Sequence, residues 1–397
     1  MVARLRSFMN HPTLLFLVNG GPASAMGIRA RSFADRLNPD FCIHIEYRSA
    51  NKIYAILRFF GSLLRLRPAL VYVFDMGFSG VVAAGVYRGI SRCRMVVDTG
   101  DAIYELSRSS GNRGAMGLWL TQLLERFALS VSHRLVVRSH CHQELLATRG
   151  IQSDVIPDGV DTSQFRPGPQ PDLRREYHLE GATVVGVMGS LIWNSRLQMC
   201  YGWELLEVID KLRDQPVKGL IIGDGSGLPE LKRQCAVRGI EERIVFMGRI
   251  RYEDLPRYLN LMDICLSTQT NDIVGQVRTT GKLPLYLACG RFVLASAVGE
   301  AARVLPADML VPYNGTKDNE YPDRLARRVQ SLLEAPDRLQ RREASIGIAQ
   351  THFDYNVLAV RLRQTIQRLL TSSSAEVNQD AFVQTSSAPR DGGRLSP

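Results

Sequence analysis

The feature that most constrains this chain is a repeated alternation of short apolar runs and stretches of helical periodicity. Residues 14–18, 41–46, 70–74, 94–97, 134–137 and 154–156 read as strands, and 28–37, 52–66, 119–129 and 142–149 as helices. Runs that are apolar at every position, not every second one, are buried on both faces. That requires a parallel sheet with helices on either side. Between Pro157 and Pro171 four prolines exclude a helix or a central strand, so an interdomain link is expected there. The alternation then restarts, with strands predicted at 183–188, 218–222, 243–246, 264–267 and 292–295. The pattern predicts an α/β protein of two doubly wound, Rossmann-like domains facing across a cleft. The first is expected over 1–170 and the second over 171–353, with a helix at 354–370 packing back on the first. Residues 371–397, with six Ser and almost no large apolar side chains, read as a disordered tail.

Composition narrows the function classes. A length of 397 residues suits two domains, and 45% hydrophobic with 22% charged residues excludes a mostly disordered or coiled-coil chain. The net charge of +10 favours an anionic partner, and ten basic against three acidic residues in 1–67 place +7 of it there. A nucleic-acid role is not expected, because the excess is regional and no reader motif is present. Seven cysteines without a CxxC pair read as packed thiols of a reducing compartment, with neither a disulfide framework nor a zinc site. His133, His140 and His142 lack metal-ligand spacing. The apolar run 14–18 is too short for a signal peptide, and no run reaches eighteen apolar residues. A cytoplasmic protein is the expectation. Residues 52–67 form a basic helix rich in large apolar side chains, suited either to packing on the sheet or to peripheral contact with an anionic inner-membrane surface.

Several short segments carry candidate chemistry. Gly20 and Gly21 follow the first strand, where a glycine turn lets backbone approach an anion or simply makes a tight turn. Gly223 to Gly227 close a later strand, and the same two readings apply. Arg278, Thr280, Gly281 and Lys282 bring cations, a hydroxyl and a glycine just before a helix, an arrangement suited to a diphosphate. Asp98 and Asp101 follow a buried strand at the end where α/β sheets keep their chemistry. They serve either as a base for an acceptor hydroxyl or as turn and cap residues.

Residues 156–167, Ile-Pro-Asp-Gly-Val-Asp-Thr-Ser-Gln-Phe-Arg-Pro, resemble the interdomain signature of GT-B fold glycosyltransferases of the family-4 type (glycosyl transferases group 1). Val187 to Leu191, Ile221 to Gly225, Val245 to Gly248, Leu255 to Leu266 and Ala288 to Ser296 resemble further pieces of that family in its order, so that the likeness runs over about 12–370. The resemblance implies transfer of a sugar from a UDP- or GDP-sugar to a hydroxyl of a glycan or lipid-linked acceptor. It also implies retention of anomeric configuration, a place in polysaccharide or glycolipid biosynthesis, and no tightly bound metal or cofactor. By position, Gly20, Gly21, Ser190, Met247, Gly248, Thr280, Gly281 and Lys282 would meet the donor, with Asp98 or Asp101 near the acceptor. The family's Glu pair, seven residues apart, falls on Val277 and Leu285 here. The ribose contact would then pass to another residue, such as Glu300, and the lost cations to Arg196, Arg278 and Lys282. The alternative is a catalytically silent GT-B protein that binds a nucleotide or glycan as a partner subunit.

Overall fold

A computed structural model describes residues 11–111, 113–340 and 342–372, so nearly all of the predicted tail lies outside the described residues. The chain divides into two units. The first comprises residues up to Gly100, Trp119–Ile156 and Val360 onward, and the second comprises Asp101–Leu118 and Pro157–Ala359.

The first unit is built on six parallel strands, β1 (Thr13–Val18), β2 (Cys42–Tyr47), β3 (Leu70–Phe74), β4 (Arg94–Thr99), β5 (Arg134–Val137) and β6 (Ser153–Val155), in the order β2-β1-β3-β4-β5-β6. The central strands are buried at almost every position, as their uninterrupted apolar character requires. Helix Ala25–Leu37 starts at Ser24, whose hydroxyl accepts from the Gly27 amide, and helix Lys52–Leu66 starts at Asn51, whose side chain accepts from Ile53 and Tyr54. Helix Phe78–Ile90 is absent from the sequence reading: its Gly80, Gly85 and Gly89 weaken the helical signal, while burial of Val81, Ala84 and Tyr87 holds it in place.

The second unit repeats the plan with β7 (Thr183–Met188), β8 (Val217–Ile222), β9 (Ile244–Gly248), β10 (Ile264–Ser267), β11 (Phe292–Ser296) and β12 (Leu310–Val311), in the order β12-β11-β10-β7-β8-β9. The strand order reverses between β7 and β10, and in open α/β sheets ligands bind beyond the carboxyl ends of the strands at such a reversal. The glycines of residues 223–227 serve the packing of this unit. Gly223 has φ +144°, and a Cβ on it would collide with the carbonyl of Gly189. Ser226 and Gly227 then hold the neighbouring loop by accepting from the Trp193 amide and donating to the Leu191 carbonyl.

The core of the first unit contains a charged cluster. Asp98, at the end of β4, is 0% exposed and accepts from the Nε of Arg29 at 2.8 Å and from the Tyr72 hydroxyl at 3.2 Å. Arg29, 1% exposed, also donates to the Ile156 carbonyl at 2.8 Å, and Arg138 lies 3.5 Å from the other Asp98 oxygen. Asp98 therefore ties β3, β4 and the end of β6 to helix Ala25–Leu37. This corrects its assignment as an acceptor base: it has no surface to offer a substrate. Because removing one partner strands a buried charge, Arg29→Met is expected to lower the stability of the first unit by about 3–5 kcal/mol. Urea unfolding followed by circular dichroism measures this, and a loss below about 1 kcal/mol would contradict the assignment.

Candidate functional site

The second unit encloses a cavity of about 740 Å³, and four of the sequence candidates meet it: Arg196, Arg278, Thr280 and Lys282. Three polar contacts hold the segments that carry them. Asn194 accepts from the Arg196 amide and shapes that turn. The Arg278 carbonyl accepts from the buried side chain of Gln269, which fixes the strand of residues leading to helix Lys282–Ala288. The Thr280 hydroxyl lies 3.4 Å from that of Ser267 at the end of β10.

Lys282 is the centre of the arrangement. Its ammonium stands 3.2 Å from the centroid of the Tyr201 ring, and among the described residues no carboxylate lies within ion-pair distance of it. The Tyr201 hydroxyl in turn donates to the Leu266 carbonyl and accepts from the Thr268 amide, so the ring is fixed by β10. Desolvation, reinforced by the nearby Arg278 charge, lowers the Lys282 pKa to about 7 against the pull of Glu204. The side chain keeps part of its surface open to the cavity, so the cost to the fold is smaller than sealed burial would impose.

Glu204 is the residue that sequence reasoning missed. It lies in helix Trp203–Lys211, is fully buried, has no ion-pair partner among the described residues, and has the Thr268 hydroxyl beside its carboxylate. The Tyr321 hydroxyl adjoins that of Thr268 in turn. Burial raises the Glu204 carboxyl above the usual carboxylate range, with Thr268 and Lys282 opposing the shift without cancelling it. A signal was present in the sequence: Glu204 leads the stripe Val208 and Leu212, at i, i+4 and i+8, whose other members are buried and apolar.

The remaining candidates separate. Asp101 accepts from the Nε of Arg278 at 2.7 Å, which makes it a partner of a cavity cation. Gly281 precedes the helix as its cap. Ser190, Met247, Gly248 and Glu300 are not on the cavity wall, and Glu300 is buried in helix Gly299–Val304. The supply of a ribose contact by Glu300 is therefore not what this cavity offers. Val277 and Leu285 are both buried and apolar. Gly20 and Gly21 form the turn after β1 in the first unit. Burial pushes the thiols of Cys93, Cys200 and Cys289 up to about 12, which removes them as nucleophiles at neutral pH. Among the described residues no group of three or more His, Cys, Asp or Glu is placed to hold a metal ion.

Two doubly wound sheets, with a cationic cavity beside the strand reversal of the second, define a GT-B type α/β protein. Residues 182–335, within the second unit, match the family described as glycosyl transferases group 1. Over 231 residues the chain is 29% identical to the GDP-mannose-dependent alpha-(1-6)-phosphatidylinositol monomannoside mannosyltransferase of Mycolicibacterium smegmatis, covering 56% of this chain and 57% of the relative. The chain spans about half the length of the curated relatives it matches. Among solved structures, sucrose-phosphate synthase from Thermosynechococcus elongatus superposes with a TM-score of 0.75 at 17% identity, over 92% of this chain and 100% of that one. The Anabaena protein HepE in complex with UDP and glucose gives 0.69 at 18% identity, over 90% and 100%. These two likenesses are likenesses of fold.

The raised Glu204 carboxyl has a stability consequence with a definite sign. Above the ordinary carboxylate range the unfolded chain has released this proton while the folded chain still binds it, so the residue costs stability as pH rises. Glu204→Gln is therefore expected to raise the melting temperature at pH 8 and to change it little at pH 5. Calorimetry of both proteins at the two pH values checks this, and an equal effect at both would show that the carboxyl is not the origin.

Proposed function

We propose that the chain is a glycosyltransferase that moves a sugar from a nucleotide-diphosphate sugar, a UDP- or GDP-sugar, to a hydroxyl of a glycan or lipid-linked acceptor. The reaction belongs to polysaccharide or glycolipid biosynthesis and proceeds with retention, at the cytoplasmic face of a membrane. The observation that carries this reading is the pair of cations lining the cavity, Lys282 and Arg196, neither of which is neutralised by an ion pair among the described residues. Arg278 adds a third, shared with Asp101. A leaving nucleoside diphosphate gains negative charge as the glycosidic bond breaks. Preorganised cations in a partly desolvated pocket stabilise that change more than they stabilise the intact donor. The family match of the second unit and the names of its relatives, which include sugar transferases using GDP-mannose and structures holding UDP, support the same class of donor. The acceptor-side residue in this reading is Asp101, held beside the cavity by Arg278, and not Asp98. Helix Lys52–Leu66 supplies the membrane contact that a lipid-linked acceptor calls for.

A second reading keeps the fold and drops the chemistry: a silent partner subunit that binds a nucleotide or glycan. The burial of Val277 and Leu285 in apolar surroundings favours it, because no carboxylate stands at either place.

Differential scanning of the full chain against UDP-, GDP-, ADP- and dTDP-sugars separates the two. Binding at a hundredfold excess over Kd contributes about 2.7 kcal/mol, a readily measured shift of the midpoint. One nucleotide is expected to shift it and to be slowly hydrolysed. No shift at millimolar donor would favour the silent subunit, and a shift with no hydrolysis or transfer would favour it too.

The Lys282 ammonium gives a pH test of the same site. Its charge is lost as pH rises through about 7, so donor affinity is expected to fall between pH 6 and pH 8.5 unless the donor's own phosphates draw a proton onto it. Lys282→Met is expected to weaken donor binding by about tenfold to a hundredfold at pH 6 and to flatten the pH profile. Isothermal titration in buffers of different ionisation enthalpy reads both the affinity and the proton uptake. An unchanged affinity in the variant would remove Lys282 from the site.

A further inference from the structure

Three helices on one side of the first sheet carry an outward face that the fold does not use. Lys52–Leu66, Phe78–Ile90 and Ala115–Val131 lie side by side. Phe60 meets Tyr87 with ring centroids 6.4 Å apart, and the Ser79 hydroxyl donates to the Lys52 carbonyl at 3.1 Å. Arg88 donates to the Val131 carbonyl at 2.6 Å, and the missing side chain of Gly85 admits Phe127, whose ring would stand 2.8 Å from a Cβ there.

Each helix already buries an inner side, for example Ala55, Phe59 and Leu63 on the first and Val81 and Ala84 on the second. Yet the outer side is apolar too. Ile53 and Leu57 are 73% and 67% exposed, one turn apart, Val86 and Ile90 are 54% and 69% exposed, and Trp119 and Leu123 are 62% and 48% exposed. Ten of the thirteen exposed large hydrophobic side chains among the described residues stand on these three helices, so the exposure is a patch and not scatter. The third helix makes the point most sharply. Of its seventeen residues only Thr121 and Ala128 are buried, although most of the others are apolar. A helix that is apolar on both sides has a second surface to bury against.

The charges identify the occupant. The three helices carry exposed Lys52, Arg65 and Arg126 against Glu125 alone, Arg67 follows the first of them, and Arg58 and Arg88 turn to the carbonyls of Tyr47 and Val131. Glu46 lies near Arg58 and Arg65 at 3.3 and 3.8 Å without balancing the set. A second copy of the chain would bring the same cations against themselves, whereas an anionic bilayer offers negative headgroups above an apolar interior. A tryptophan flanked by leucines suits the boundary between the two.

We propose that this three-helix face docks the first unit on an anionic phospholipid bilayer, with Leu57, Ile90 and Trp119 entering the headgroup–acyl boundary. The membrane surface is thereby the face of three helices, not of Lys52–Leu66 alone, and the inference holds whether or not the second unit transfers sugar. Flotation of the full chain with vesicles of phosphatidylcholine, and of phosphatidylcholine with phosphatidylglycerol, tests it. The chain is expected to float with the anionic vesicles only, to be released by high salt, and to show a blue shift of tryptophan emission that Trp119→Phe abolishes. Leu57→Glu with Trp119→Glu is expected to weaken vesicle binding by about tenfold or more with an unchanged melting temperature. Ile53→Ser with Ile90→Ser serves as the second variant should the first lose its fold. Failure to float on either vesicle would overturn the proposal. So would flotation that both variants leave intact, or a concentration-dependent dimer that the variants dissociate in the absence of lipid. The donor-induced melting shift is read without vesicles, so failure here is distinguishable from failure of the transferase reading.

Discussion

The cost of taking a charge out of water organises this molecule, and its two units meet that cost differently. In the first unit Asp98 is buried completely but is held by Arg29, by the Tyr72 hydroxyl and beside Arg138. Every strong charge in that cluster has an opposite within reach, so it acts as a joint between strands and a helix. In the second unit Glu204 and Lys282 are withdrawn from water without a direct ion pair: one has only the Thr268 hydroxyl beside its carboxylate, and the other, attracted by Glu204 but not in contact with it, rests on an aromatic ring. A fold that leaves such costs standing does so where charge is to be met by something else, which is why the second arrangement reads as a site and the first does not.

The same distinction decides how much was legible in the sequence. The double alternation is a local signal repeated over most of the chain, and each apolar run stands as a strand of one of the two sheets. The Arg278 to Lys282 segment was legible because its cations and hydroxyl are contiguous. The role of Asp98 was not, because its partner Arg29 is sixty-nine residues away and only strand order brings them together. The glycines of 223–227 allowed two readings, an anion loop or a tight turn. A run that suits phosphate in isolation turns out to be required by the approach of the Gly189 carbonyl, a contact no spacing rule reveals. Glu204 stood on a helical stripe that the sequence displays, but a single carboxylate among apolar residues is read as a solvated position until its burial is known.

The apolar helices illustrate a further limit. On sequence, the apolar content of residues 52–66 has two sufficient explanations, packing on the sheet and contact with a membrane. The structure shows that packing accounts for Ala55, Phe59 and Leu63 and leaves Ile53 and Leu57 over. What distinguishes the two is the periodicity of exposure, which a count of hydrophobic residues does not contain. Among the described residues no helix is long and apolar enough to cross a membrane, so the surplus lies along an outer face and not through a span.

The last helix, Tyr355–Thr371, begins in the second unit, yet from Val360 onward it belongs to the first. Within the first unit Arg363 binds Asp40 at 2.6 Å and Thr365 binds Asp154 at 2.7 Å, across separations of 323 and 211 residues. During vectorial synthesis these bonds wait for Arg363 and Thr365 to emerge. The nascent first sheet therefore waits, unfinished along that flank, until residues 360–371 have left the ribosome. The second unit, made of residues 101–118 and 157–359, has all its strands by Val311, before that helix emerges. Order of emergence and order of completion are thus inverted, and any message truncated ahead of codon 360 yields a first unit that never receives its closing helix.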